Sequence, residues 1–152
     1  MIDKLSQSLK GFSVASLIVV LAACSTPEIT RKDYSKFRAA NAQSILVVPA
    51  VNKSVDVDAP DYFLSTIVRP LAERGYYVFP VHLVKRVMED DGLADADMVH
   101  SADPVVLASL FGADSVLYVS IERWDAKYAV FSTTVTVDFK YQLKSGTTGE
   151  EL

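Results

Sequence analysis

Apolar and polar positions follow three regimes along the chain: an uncharged run near the start, helical spacing through the middle, and strict alternation toward the end. The run Ser44-Ile45-Leu46-Val47-Val48-Pro49 is β-branched and bounded by turn-forming residues, which predicts a buried strand. A loop, residues 52–60, follows. Three segments then show helical spacing, and each ends at a glycine. Residues 61–74 bring Phe63, Ile67 and Leu71 to one face before Gly75, with Pro70 expected to end or kink the helix. Residues 83–91 carry Leu83, Val84, Val87 and Met88 before Gly92. Residues 103–111 open with Asp103 as N-cap and Pro104 at the first helical position, and close at Gly112. Residues 76–80 predict a second, short strand and residues 115–124 a third.

From 130 to 144 the alternation is without fault. Phe131, Thr133, Val135, Val137, Phe139, Tyr141 and Leu143 take one side, while Ser132, Asp138, Lys140 and Gln142 fall among the other. Such a period of two describes an antiparallel strand with one wet face. At about 3.4 Å per residue it would run near 50 Å, so a bulge or bend is expected. The order β-α-β-α-α-β-β predicts an α/β fold, a small mixed sheet with helices packed on one face and a right-handed βαβ crossover. Ser145-Gly146-Thr147-Thr148-Gly149 turns the chain, and Glu150-Glu151-Leu152 reads as a returning strand. A long arm facing such a short one leaves backbone groups unpaired. The expectation is therefore a chain cut short of its natural end, or a strand completed by a second copy.

The apolar run, residues 11–23, follows Lys4 and Lys10 and ends in Leu21-Ala22-Ala23-Cys24. Basic start, short apolar core and small residues at the exit compose a secretory signal peptide. The run is several residues short of the roughly 20 that span a membrane. Leu-Ala-Ala-Cys resembles the bacterial lipobox, in which the cysteine is diacylated and becomes the new N-terminus. An uncleaved anchor is the other reading, and either one attaches the chain to a membrane. The resemblance makes Cys24 the lipidation site. Ser25, standing where an Asp commonly retains lipoproteins at the inner membrane, implies the outer membrane with the domain facing the periplasm or the surface. Domain organisation follows: signal peptide 1–23, lipidated tether 24–42, α/β domain 43–152.

Charge narrows the function classes. The chain after residue 23 carries 13 basic and 18 acidic side chains, a net charge of −5. Nucleic-acid binding needs clustered Lys and Arg, and here they are scattered. With one cysteine in the chain, disulfides, thiol catalysis and cysteine zinc sites fall away. The acidic loop Asp56, Asp58, Asp61 reads as a cation loop or as solvated charge, without the glycine and distal glutamate of a calcium loop. Glu89-Asp90-Asp91, with Asp95 and Asp97, lies at a helix C-terminus, where negative charge is unfavourable; a partner surface or a solvated turn explains it. His82 is expected at a helix start and His100 in a loop, neither at a recognisable spacing from carboxylates. Ser132-Thr133-Thr134 reads as strand composition before nucleophile. Tyr118, Trp124, Tyr128 and Phe131 gather around the turn between the last two strands, as core or as a protein interface. The alternating strand is also of membrane-barrel type, but one hairpin makes no barrel without oligomerisation. No cofactor or metal is expected.

Several runs are distinctive: Ser44-Ile-Leu-Val-Val-Pro, Asp58-Ala-Pro-Asp-Tyr-Phe-Leu-Ser-Thr, Arg69-Pro-Leu-Ala-Glu-Arg-Gly-Tyr-Tyr-Val-Phe-Pro, Leu110-Phe-Gly-Ala-Asp and Ile121-Glu-Arg-Trp-Asp. With these the chain resembles a family of bacterial lipoproteins of unknown function, typified by a neisserial genome-derived surface antigen. The resemblance implies a fold like the N-terminal domain of TolB and the curli-secretion lipoprotein CsgG. It also implies a place beside other envelope lipoproteins, a CsgG-like protein among them. The expected role is non-enzymatic, and a homodimer, by sheet-edge pairing or helix packing, is a further expected partner. The family supplies no catalytic residues. Its members continue past residue 152 with further strand. Two rival roles stand beside the adaptor reading. Activation of a peptidoglycan synthase would favour a longer tether than these 18 or so residues, which reach about 60 Å at most. A hydrolase of envelope polymers would need Asp56, Asp58, Asp61 and His82 to converge.

Overall fold

The computed structural model describes residues 32–129 and 132–152. Its elements in chain order are α1 (Ser35–Ala40), β1 (Ser44–Val47), β2 (Val51–Asn52), α2 (Ala59–Ala72), β3 (Tyr77–Val78), α3 (Val81–Asp90), α4 (Ala96–Ser101), α5 (Pro104–Phe111), β4 (Ser115–Ala129) and β5 (Ser132–Ser145). β1 lies between β3 and β4 and is parallel to both. β2 continues beside β4 in the same parallel sense, and β5 pairs antiparallel with the other edge of β4. The path from β1 to β2 breaks at Pro49, which has no N–H to give the ladder. The expected α/β class with a mixed sheet is what forms.

Helices cover both faces rather than one. Ile45 and Val47 pack in one cluster with Phe63 and Leu64 of α2, whereas Leu46 and Val48 pack in another with Val84, Met88, Val99 and Leu107 from α3, α4 and α5. Neighbouring strand residues point to opposite faces, so burial of all four requires a layer on each side. An apolar run without alternation is the signature of a doubly covered strand. The placement of all helices on one face missed that implication.

Three local differences have equally plain causes. α1 forms inside the segment expected to be a tether, and Phe37 sits against Tyr76 with ring centroids 6.5 Å apart. α4 is an additional short helix whose N-cap, Asp95, accepts a 2.7 Å hydrogen bond from the Asp97 N–H. α2 runs two residues past Pro70, because a proline in the last turn removes one hydrogen bond and leaves the earlier turns intact. Other expectations hold. Asp103 caps α5 through the Val105 N–H, and Gly75, Gly92 and Gly112 take positive φ just beyond their helices. The bulge expected in the alternating strand is not found there: the irregularity lies in its partner β4, between Ile121 and Arg123, and the described part of β5 is regular.

The bulge sets which side chains share a face. Before it, Leu117, Val119 and Ile121 face α2; after it, Trp124 joins them, paired across the ladder with Val137. Without the extra residue, Trp124 would point to the opposite face.

Candidate functional site

Two features lie on opposite faces of the β4–β5 hairpin. The first is a ridge on the α2 face. Trp124 stacks on Tyr62 (centroids 6.2 Å apart, planes at 20°) and meets Phe139 edge-on at 6.1 Å. Phe63 lies beneath, 5.1 Å from Phe139. Toward the hairpin tip this face loses its cover: Val135 is 57% exposed and Val137 40%. Tyr62 and Tyr141 are also about half exposed. Burial still pushes the Tyr141 hydroxyl above its ordinary pKa. Exposed apolar side chains in a row on a rigid strand form the kind of patch that marks an interaction surface.

The second feature is a cleft on the opposite, polar face, of about 400 Å³, between α4 and the sheet. Tyr118, Ser120 and Glu122 of β4, Lys140 and Gln142 of β5, and His100 of α4 form its walls, with Lys53 and Glu151 at the rim. The bulge leaves Glu122 on this side, where Lys53 and Lys140 bracket the same carboxylate oxygen at 3.1 and 3.4 Å. These two amines hold the Glu122 carboxyl below the usual carboxylate range, the hydrogen bond from Lys53 first. His100 donates from Nε2 to the Pro49 carbonyl at 3.0 Å and meets the edge of the Tyr118 ring at 5.1 Å. Partial burial lowers its pKa against the opposing pull of the Pro49 carbonyl and Asp97. Tyr118 is 3% exposed, and its hydroxyl has no hydrogen-bond partner among the described residues. Burial, with help from Asp103, pushes that phenol up to about 12. Lys144 Nζ stands 5.0 Å from the centroid of the same ring.

The structure separates most of the residues that sequence reasoning grouped. Tyr118 and Trp124 lie on opposite faces, so of the proposed aromatic cluster Trp124 belongs to the ridge and Tyr118 to the cleft. The Tyr128 side chain and Phe131 lie outside the described residues, as do Cys24 and the whole signal segment. His82 is exposed in the first turn of α3, and His100 is on a helix rather than in a loop. Asp56 Oδ1 accepts from the Asp58 N–H at 3.0 Å, which spends it on the local turn. Among the described residues no group of three or more His, Cys, Asp or Glu comes together as a metal site. Asp90 pairs with Arg86 at 3.5 Å, which offsets the unfavourable charge at the end of α3. Ser132, Thr133 and Thr134 are exposed strand residues. The cleft depends on α4, whose six residues are too few to show a pattern in the sequence. The strict wet face of β5, Lys140 and Gln142 included, was its one visible trace.

The profile of the family described as "Putative lipoprotein GNA1162-like" matches residues 32–152. A curated lipoprotein of Neisseria meningitidis serogroup B, NMB1124/NMB1162, is 35% identical over 135 residues, 89% of this chain. The chain spans 63% of the length of that relative. The crystal structure of lipoprotein GNA1162 from the same species superposes with a TM-score of 0.65 at 37% identity, over 72% of this chain and 76% of that one. PelC from Paraburkholderia phytofirmans, solved as a dodecamer, shares the fold at a TM-score of 0.50 and 19% identity, over 72% of this chain and 65% of PelC.

Proposed function

The chain belongs to the GNA1162-like lipoprotein family, and from that premise we propose that it is a lipid-anchored, non-catalytic adaptor of the bacterial envelope. It works through protein contacts in an outer-membrane or secretion-associated assembly. Cys24 is the attachment point. One acyl chain gives marginal membrane binding at about 0.8 kcal/mol per buried methylene, whereas two or three hold the protein permanently. Ser25 after the cysteine favours the outer membrane, with the folded unit in the periplasm.

The observation that carries this reading is the uncovered ridge on the hairpin. Val135 and Val137 extend the same apolar face that α2 buries further down the strands, and they stand in water. Covering such side chains recovers roughly 25 cal/mol for each Å² of apolar surface. The partner in this reading is another envelope lipoprotein, of the CsgG-like kind that the sequence resemblance implies.

Affinity capture from detergent-solubilised envelopes, with a photo-crosslinking residue at position 135, tests it. The expected product is a covalent adduct to a second lipoprotein or a secretion component. Repeated recovery of the protein alone, as a monomer, overturns the proposal.

A further inference from the structure

The folded unit is charged unevenly from one end of its sheet to the other. Past the carboxyl end of β1, Asp61, Glu89 and Asp95 line one hollow with Pro49 and Ala50. At the amino end of β1, Arg38 and Arg74 flank a groove of about 340 Å³ whose walls hold no acidic residue. We propose that this amino-terminal end docks on the anionic surface of the bilayer that holds Cys24, with Arg38 and Arg74 taking phospholipid phosphates. The inference rests on the lipid-anchor reading and gives the anchored domain an orientation.

The first support is charge. Among the described residues no carboxylate pairs with Arg38 or Arg74, whereas Arg69 pairs with Glu73 at 2.8 Å and Lys36 with Glu150 at 3.3 Å. Asp114 is fastened to Ser44 and Gln43. These side chains, four basic and three acidic, leave this end one positive charge in surplus, while Lys32 with Asp33 and Lys144 with Glu151 cancel. The chain after residue 23 carries −5 in all, so an anionic surface attracts this end and repels the other.

The second support is aromatic. Tyr34 precedes α1, Tyr77 follows Tyr76 on the edge strand β3, and both are more than half exposed. Tyrosine concentrates at membrane–water interfaces, where its ring meets the acyl boundary and its hydroxyl stays wet. The third is chain length. Ten residues separate Cys24 from Tyr34, a reach of about 35 Å at most. The groove therefore meets lipid at the high effective concentration of a short tether. The hairpin agrees with this orientation: β4 starts at the docked end with Ser115 and runs to Ala129, and Val135 and Val137 pair with its far half. The ridge is thus presented away from the bilayer.

The test couples residues 24–152 through Cys24, the single cysteine, to a maleimide phospholipid in vesicles. One set of vesicles is phosphatidylcholine alone; the other contains one third phosphatidylglycerol. Amide hydrogen exchange is the readout. Exchange at residues 34–43 and 73–77 should slow on the phosphatidylglycerol vesicles only, and residues 89–97 should exchange equally on both. Arg38→Gln together with Arg74→Gln should remove the slowing, because two cations lost at an anionic surface weaken docking about thirtyfold. Both side chains are exposed, so this variant should melt at the wild-type temperature. No slowing on phosphatidylglycerol, equal slowing on phosphatidylcholine, slowing at residues 89–97 instead, or slowing that survives the double substitution each overturns the proposal. The coupling supplies the tether chemically, so these failures leave lipidation of Cys24 standing; that reading falls on the mass of the native N-terminus.

Discussion

Asp114 Oδ2 accepts three hydrogen bonds at 2.9 Å, from the Ser44 N–H, the Ser44 hydroxyl and the adjoining Gln43 N–H. The Asp114 N–H returns a bond of the same length to the Ser44 hydroxyl. One carboxylate therefore fastens the start of β1 to the start of β4, 70 residues away in sequence. The pairing of Ile45 with Ser115 begins one residue further along. These bonds hold the Asp114 carboxyl below the usual carboxylate pKa, the backbone N–H of Gln43 first and the Ser44 hydroxyl next.

Asp114→Ala should cost about 1–2 kcal/mol in urea unfolding, at the low end for three charge-assisted bonds because the site is exposed. The sign of the acid dependence follows from the lowered pKa. The contribution is whole above the unfolded value near 4 and is lost as pH falls through the folded one. Below that range the variant and the wild type should converge in stability.

Gly146 is constrained by space rather than by φ. A Cβ there would lie 2.5 Å from the Ala113 carbonyl, 2.8 Å from the Ala108 Cβ and 2.9 Å from the Asp114 carbonyl. Gly146 also donates its N–H to Asp114 at 2.7 Å, so the backbone has no freedom to retreat. Gly146→Ala should destabilise by roughly 2–3 kcal/mol, within the usual cost of overpacking. Gly92→Ala meets no atom within 4 Å and is strained by its φ of +84° alone, so it should cost about 1 kcal/mol. Paired denaturation curves check the ranking.

The sequence carried the fold where one local rule spoke at a time. Gly75, Gly92 and Gly112 marked helix ends because few residues other than glycine take the left-handed conformation there. The core strand was legible in Ile45 to Val48 because nothing polar interrupts it. What stayed hidden needed two rules at once. A single bulge residue decides that Trp124 and Tyr118 face opposite ways, and no periodicity in β4 announces it. α4 has six residues and one buried side chain, Val99, too short for a pattern to emerge. The sequence therefore reads His100 as a loop residue, and its contact with Tyr118 leaves no trace in the pattern. The ridge was half legible: the alternation names Val135 and Val137 as inward, and no helix among the described residues reaches them.

His100 links the cleft to acidity. Burial lowers its folded pKa below the ordinary 6.5, with Lys144 adding to the effect while Asp97 and the Pro49 carbonyl oppose it. The folded protein thus prefers the neutral ring, and the unfolded chain takes up the proton more readily. Stability is whole above about pH 6.5 and declines as pH falls from there through the lowered folded value. Melting temperature should drop between pH 7 and pH 5. His100→Gln, which can still donate to Pro49, should flatten that slope; an unchanged slope would assign the effect to other groups.

The ridge predicts a variant that separates folding from association. Val135 and Val137 are exposed, so charge at either position removes little packing. Val135→Asp and Val137→Asp should shift the unfolding midpoint by no more than about 0.5 kcal/mol equivalent, the usual range for surface changes. Both should abolish capture of the partner. Phe63→Ala is the contrasting case, because Phe63 is 4% exposed beneath the same aromatic group. It should cost about 3–5 kcal/mol and lose capture through unfolding. Loss of capture in the valine variants with full stability is the outcome that identifies a surface.

Membrane attachment has the sharpest chemical readout. In the lipoprotein reading, the sulfur of Cys24 is the one atom that can carry the thioether-linked lipid, since the chain has no second cysteine. Cys24→Ser keeps size and polarity at the cleavage site but removes the thiol whose sulfur forms the thioether to the acyl glycerol group. The variant should lose the lipid mass, and it either leaves the membrane fraction as soluble periplasmic protein or stays there as an uncleaved precursor held by residues 11–23. Mass spectrometry distinguishes these products, because a precursor retains residues 1–23 and a native lipoprotein begins at an acylated residue 24. The folded unit, residues 34–152, makes its core from its own clusters and should melt at the wild-type temperature in either product. A wild-type protein whose N-terminus is not an acylated Cys24 would refute the anchor, and the adaptor reading would then lack its attachment.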